Sequence, residues 1–211
     1  MVRFDLVVTC GGTGIRYAVV GYSADLVRST SGTTLSFLGA GRYNIRFASP
    51  VTGCAFIATW LIRATRSCST RPACTPAAVP DANTVYIETK NPGGGLQDGV
   101  PFHLELICSS TANTRYAVVQ ATGAKQRSSS GMTATRLRSG NFQISSNNLG
   151  ISACATVATR GSAEYWPYPS TRGPSKSCRA RPTTRSTSRS VSCCSSAGAL
   201  NSLAFHAASV C

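Results

Sequence analysis

Apolar and polar residues alternate along this chain in short runs. Phe102, Leu104, Leu106 and Cys108 fall on one side of such a run, and His103, Glu105 and Ile107 fall on the other. Phe4, Leu6, Val8 and Cys10 repeat the first side. Tyr43, Ile45 and Phe47 alternate with Asn44 and Arg46; Cys54, Phe56 and Ala58 with Ala55, Ile57 and Thr59; Val85, Ile87 and Thr89 with Tyr86 and Glu88. Successive strand side chains point to opposite faces, so a period of two predicts half-buried strands. Clusters of Gly, Pro, Ser, Thr and Asn separate the runs. No segment combines a helical period with capping residues. Short strands divided this regularly by turn signals predict an all-β fold of antiparallel sandwich or barrel-like units.

The runs recur in order. "RYAVV" stands at Arg16–Val20 and again at Arg115–Val119. "RSTSG" at Arg28–Gly32 matches "RSSSG" at Arg127–Gly131, and "GRYNI" at Gly41–Ile45 matches "GNFQI" at Gly140–Ile144. "CAFIAT" at Cys54–Thr59 matches "CATVAT" at Cys154–Thr159. A Phe-His run closes each unit, at Phe102 and at Phe205. An ordered series at a nearly constant offset is the signature of an internal repeat. Two tandem β repeats are therefore expected, 11–108 and 109–211. Residues 1–10 read as the remnant closing strand of an upstream repeat, or as the first strand of a permuted unit. The second copy is degraded or loop-rich over 161–204, where Ser and Arg replace large apolar residues, a composition compatible with disorder. A weak echo remains: Val191 and Cys193 are aligned with Val85 and Ile87, and Gly198–Leu200 with Gly94–Leu96.

Cysteine changes the picture next. There are 10 in 211 residues, beside only 2 histidines. That usage points to structural disulfides in an oxidising, extracellular or cell-surface setting. No metal site is expected, because ribbon-type zinc sites need Cys-x-x-Cys pairs or added histidines; no cofactor is expected either. Cys54, Cys108, Cys154 and Cys211 all fall on apolar strand faces. Bonding Cys54 to Cys108 and Cys154 to Cys211 is expected to cross the core of each unit. Cys68 and Cys74, in "CSTRPAC", are expected to pair locally, and Cys178 with Cys193 or Cys194. A permuted unit would instead join Cys10 to Cys54 and Cys108 to Cys154. Alternation does not separate these two phases, since every one of these residues shares the apolar side.

The block "RSTSGTTLSFLGAGRYNIRFASPVTGCAFIAT", followed by "NTVYIETKNPGGGLQDGVPFHLELIC", resembles a repeat of roughly 100 residues in uncharacterised secreted bacterial proteins. That pattern runs from Tyr-Ala-Val-Val through Gly-x-Tyr-x-Val-x-Phe and Cys-Ala-Tyr-x-Ala-Thr to Pro-Phe-His-Leu and a final Cys. The match covers nearly all of 14–108, then 115–159 and the last residues. The resemblance implies the Cys54–Cys108 and Cys154–Cys211 pairs and secretion. It implies no activity.

Charge and chemistry alter this outline little. The net charge is +14. Residues 1–108 carry nine Lys/Arg against six Asp/Glu, and residues 109–211 carry twelve against one. Arginine forks suit carboxylate, sulfate and phosphate groups. The candidate contacts for an anionic polysaccharide, a cell-surface polymer or, non-specifically, nucleic acid are Arg160, Arg172, Lys176, Arg179, Arg181, Arg185 and Arg189. Tyr165, Trp166 and Tyr168, in "EYWPYP", are aromatics able to stack on sugar rings or bases. No run of 18 apolar residues exists, so no spanning helix is expected. "MVRFDLVVTCGG" is too short in its apolar stretch to be a signal peptide.

No catalytic residue is assigned. His103 and His206 each follow a core Phe and read as packing residues rather than bases. A Ser-His-Asp set needs an orienting carboxylate, and the second repeat offers only Glu164. Glu88 and Glu105 are the carboxylates that an outer sheet face could bring side by side, and they read as surface residues. The expected function is a non-catalytic secreted β-repeat module with a structural or adhesive role. The alternatives are an anionic-polymer binding module using the basic second repeat, and, third, a hydrolase.

Overall fold

A computed structural model describes residues 14–60, 73–78, 81–91, 95–109, 114–147, 154–160, 177–182, 188–194 and 204–210. At 60, 73–78, 160, 177–182 and 188–194 it describes the backbone only. All the regular elements among these residues are strands, and the pairings between them are antiparallel.

In the first half the strands are β1 (Ile15–Val20), β2 (Leu26–Ser29), β3 (Thr34–Gly39), β4 (Arg42–Arg46), β5 (Ala55–Trp60), β6 (Ala73–Ala78), β7 (Thr84–Lys90) and β8 (Phe102–Ile107). In the second half they are β9 (Thr114–Val119), β10 (Lys125–Ser128), β11 (Met132–Arg138), β12 (Asn141–Ser146), β13 (Ala155–Arg160), β14 (Ser177–Pro182), β15 (Ser188–Cys194) and β16 (Phe205–Val210). Four four-stranded sheets result, ordered β2-β1-β8-β5, β3-β4-β7-β6, β10-β9-β16-β13 and β11-β12-β15-β14. The second pair of sheets repeats the first strand for strand.

The run "FHLELI" is central rather than peripheral. Leu104 lies between Ala18 of β1 and Ala58 of β5. The first and last strands of the first half are thus neighbours, a closure made by contacts distant in sequence. The apolar side of β8 enters one core with Ala18, Val20, Tyr43, Ile45, Phe56, Val85 and Ile87, drawn from both sheets. Tyr43 meets Phe102 edge-on at 5.2 Å. The second core is leaner: Ala117, Val119, Met132, Phe142, Ile144, Phe205 and Ala207. At the place of Phe56 and Leu106 it has Thr156 and Ser209, whose buried hydroxyls bond each other at 2.8 Å. A buried hydroxyl is tolerated when its partner is built in.

The Gly-x-Tyr motif has a local cause. Gly41 opens β4 at φ +68°, and a Cβ there would come within 2.6 Å of the Gln97 carbonyl oxygen and 2.7 Å of the Thr89 one. Gly140, its counterpart, has the same φ of 68°. Only glycine meets both the left-handed backbone and this close approach.

The structure changes three of these expectations and adds detail to a fourth. The Cys54–Cys108 disulfide exists, so Cys10–Cys54 and Cys108–Cys154 are excluded. The bond does not cross the core: it joins β5 and β8, neighbours in one sheet, one residue beyond the Ala55–Ile107 pair. Strand adjacency, which alternation leaves undetermined, decides this. Within 161–204, expected to be degraded or loop-rich, the structure describes β14 and β15. The echo is also one pair out of register. Val191 lies opposite Phe142 as Ile87 lies opposite Tyr43, so Val191 takes the place of Ile87 and Cys193 that of Thr89. A shift of two keeps the same face, which is why the pattern alone did not resolve it. Finally, Glu88 and Glu105 stand in different sheets. Glu88 is buried, accepting from the Tyr86 hydroxyl at 3.0 Å and pairing with Lys90 at 2.9 Å.

At the turn into β7, Asp81 accepts from the Asn83 N–H and the Thr84 hydroxyl, with Arg46 beside it. In that order these groups hold its carboxyl below its ordinary 3.8. A lowered folded value means that this contribution is complete above the ordinary aspartate value and is lost as pH falls through the folded one. Thermal unfolding followed from pH 6 to about pH 2 is expected to show a small acid loss that Asp81→Asn flattens.

Candidate functional site: a cross-strand row on the outer sheet faces

The register aligns four residues across each β2-β1-β8-β5-type sheet. In the first half the row is Arg28, Val19, His103 and Thr59. In the second it is Arg127, Val118, His206 and Thr159. Residue for residue the two rows are identical, and a tyrosine accompanies each: Tyr17 on β1 and Tyr116 on β9. The same device sets each tyrosine's strand. Tyr17 N–H bonds the Thr30 hydroxyl at 2.9 Å, and Tyr116 N–H bonds the Ser129 hydroxyl at 3.0 Å.

In the second half the row is covered, and what covers it is β5. His206 is fully buried, and its Nδ1 accepts the Phe56 N–H at 2.9 Å. The Thr159 hydroxyl donates to the Ala58 carbonyl at 3.2 Å, and the Tyr116 hydroxyl to the Gly53 carbonyl at 3.1 Å. The His206 and Phe56 rings stack at 5.0 Å with 20° between their planes, and the Arg127 guanidinium lies 5.9 Å from the Phe56 centroid. An apolar seam of Ala55, Ile57, Ile107, Tyr116, Val118 and Ala208 completes the contact. An edge strand has backbone groups without a ladder partner. Here side chains of the second half receive those of β5. Because Nδ1 accepts, its proton is absent and the other ring nitrogen carries the hydrogen.

In the first half the row is open. Arg28, His103 and Thr59 are exposed, and Val19 and Tyr17 are half-buried. Partial burial, then the nearby Arg28, pulls the His103 imidazole below its ordinary 6.5. That direction favours the neutral imidazole, the form in which His206 accepts its hydrogen bond.

The expected cysteine and basic sites are only partly in view. Cys154 is disulfide-bonded; its partner's side chain lies outside the described residues, as does Cys211. Cys68 and Cys10 lie outside them too, and Cys74 is placed by backbone alone, on β6. Cys178 lies directly opposite Cys193 in the β14–β15 ladder. Arg160 ends β13, Arg179 and Arg181 are two apart on β14, and Arg189 of β15 faces Pro182. Tyr165, Trp166, Tyr168, Arg172, Lys176 and Arg185 lie outside the described residues. Among the described residues no three or more His, Cys, Asp or Glu cluster as a metal site, and no helix is long and apolar enough to cross a membrane.

Sequence reasoning used "RYAVV", "RSTSG/RSSSG", "CAFIAT/CATVAT" and the Phe-His run as markers of the repeat. Those same motifs hold Tyr17, Val19, Arg28, Thr59 and His103 with their counterparts. The signal for the row was present, but only the register brings it together. No family model, no curated protein and no solved structure matches this chain.

Proposed function

We propose that this chain is a non-catalytic, secreted, disulfide-stapled tandem β module with a structural or adhesive role. One observation carries the reading: His206 already uses its Nδ1 to hold the edge of β5. The residue type best suited to general-base work is spent on joining two sheet pairs. Among the described residues nothing orients His103 by a hydrogen bond, as a catalytic imidazole requires. The Cys54–Cys108 bond and the cysteine-rich composition support an oxidising, extracellular setting.

Binding of an anionic polymer is the second reading. The adjacent strands β14 and β15 carry Arg179, Arg181 and Arg189, within a stretch from Arg172 to Arg189 that has six cations and no acid.

The test sets stability against chemistry. Replacing His206 with Leu leaves the Phe56 N–H without its acceptor and is expected to cost about 1–3 kcal/mol of stability. The chain and its His103→Ala variant are expected to show the same, background-level turnover on ester and glycoside panels. Turnover that disappears with His103→Ala would establish a hydrolase. Salt-sensitive retention on heparin that falls with Arg179→Ser/Arg181→Ser would favour the polymer-binding reading.

A further inference from the structure

The second half carries a row that grips a strand edge, and the first half carries the same row open. We propose that the Arg28–Val19–His103–Thr59 row, with Tyr17, is a docking surface for the β13 edge of a second copy of this chain, so that copies join head to tail. This rests on the structural reading above and names its partner.

On the receiving side, the two rows are identical by position. All five residues match those that receive β5, in the same register, while their surroundings differ: Glu105 stands where the second half has Ala208, and Ile57 where it has Val157. Residues that served only the fold of each half would have no reason to match while their outward neighbours drift. The row differs between the halves in one respect, which is whether a strand lies on it.

On the entering side, the contacts are made by backbone. The three hydrogen bonds that His206, Thr159 and Tyr116 make to β5 and the turn before it fall on main-chain atoms of Gly53, Phe56 and Ala58. The strand's side chains do not have to match. β13 is the edge strand of its sheet as β5 is of its own. Thr156 pairs with Ser209 as Phe56 pairs with Leu106, so Thr156 and Ala158 present N–H and C=O toward the outer edge in the same phase. The flanking surface is more open as well: Ala155 is half-buried, where Ala55 is buried in the seam. Thr156 in place of Phe56 gives up the stacked ring, so the contact between copies is weaker than the one within the chain.

The two complementary surfaces lie on opposite halves. Such a contact is heterologous and does not use itself up in a dimer; it propagates into rings or open arrays.

Sedimentation velocity of the whole chain, from about 1 µM to roughly 200 µM, is the experiment. The expected result is a weight-average mass that rises with concentration past that of a dimer. His103→Glu places a carboxylate on the row, and Ala155→Glu places one on the outward side of β13, where Ala55 of β5 meets the seam. Each variant is expected to remain monomeric, with the far-ultraviolet spectrum and melting temperature of the parent. Mixed, the two retain one intact row and one intact edge between them and are expected to form a 1:1 dimer that grows no further. A parent chain monomeric throughout the range overturns the proposal, and so does assembly that saturates at a dimer or is indifferent to His103→Glu. If Ala155→Glu does not fold, the parent series and His103→Glu decide alone. A monomer would leave the non-catalytic reading standing, whereas catalysis by His103 would remove that reading without touching the mass measurement.

Discussion

Replacing Cys54 and Cys108 together with serine is expected to lower the stability of the first sheet pair by roughly 4 kcal/mol. The bond closes a loop with a sequence separation of 54, and the loss follows from the entropy that this loop regains on unfolding. A small β unit has few other means of holding its last strand to its fifth. β8 must find β1 and β5 across most of the first half, and the disulfide fixes one of those pairings at its end. Because Cys54 is 1% exposed, serine there adds a polar cost, which valine at that position separates from the cross-link. Urea unfolding with tryptophan fluorescence, compared with the parent under reducing and non-reducing conditions, measures the effect. A change under about 1 kcal/mol would mean that packing alone holds β5 on β8.

Phe56→Ala is expected to cost about 3–5 kcal/mol, and to act on both halves. Its ring is fully buried in the first core, so truncation opens a cavity there. The same ring is stacked on His206, so the second half loses that contact with β5. Phe142→Ala is the control. It removes an equal ring from the second core, packed on Phe205 at 5.0 Å, and touches no residue of the first half's seam. Amide exchange separates the two. Phe56→Ala is expected to speed exchange in β16 and β9 as well as in β5 and β8, whereas Phe142→Ala leaves β5 and β8 as they were. Unchanged exchange in β16 after Phe56→Ala would mean that the halves fold without support from each other.

The alternation around Phe102 and Tyr43 was legible because it is local: a strand with one face in a core writes that face at every second residue. The glycine before Tyr43 was legible for the same kind of reason, since one positive φ admits little else. The repeat was legible because both halves keep their motifs in order. These features indicate strands, an apolar face along the runs that alternate, and motifs repeated in order.

Ile107 shows where that stops. Its place in the pattern is outward, yet it is fully buried, because the outer face of its sheet meets the second half. His103 and His206 stand in the same motif, and one is exposed while the other is sealed under β5. Nothing local distinguishes them, since burial here depends on which sheet lies on which. The disulfide makes the same point. Two cysteines on apolar faces are visible along the chain, but whether they bridge two sheets or two neighbours within one depends on strand order, a long-range pairing. The sequence by itself determined the all-β class, the apolar side of the runs that alternate, and the recurrence of their motifs. Tertiary structure alone decided which strands are neighbours, which outward face is covered, and that a repeated histidine closes over a strand edge in one half and stays open in the other. Backbone period is a property of adjacent residues, whereas coverage is a property of surfaces that meet only after folding.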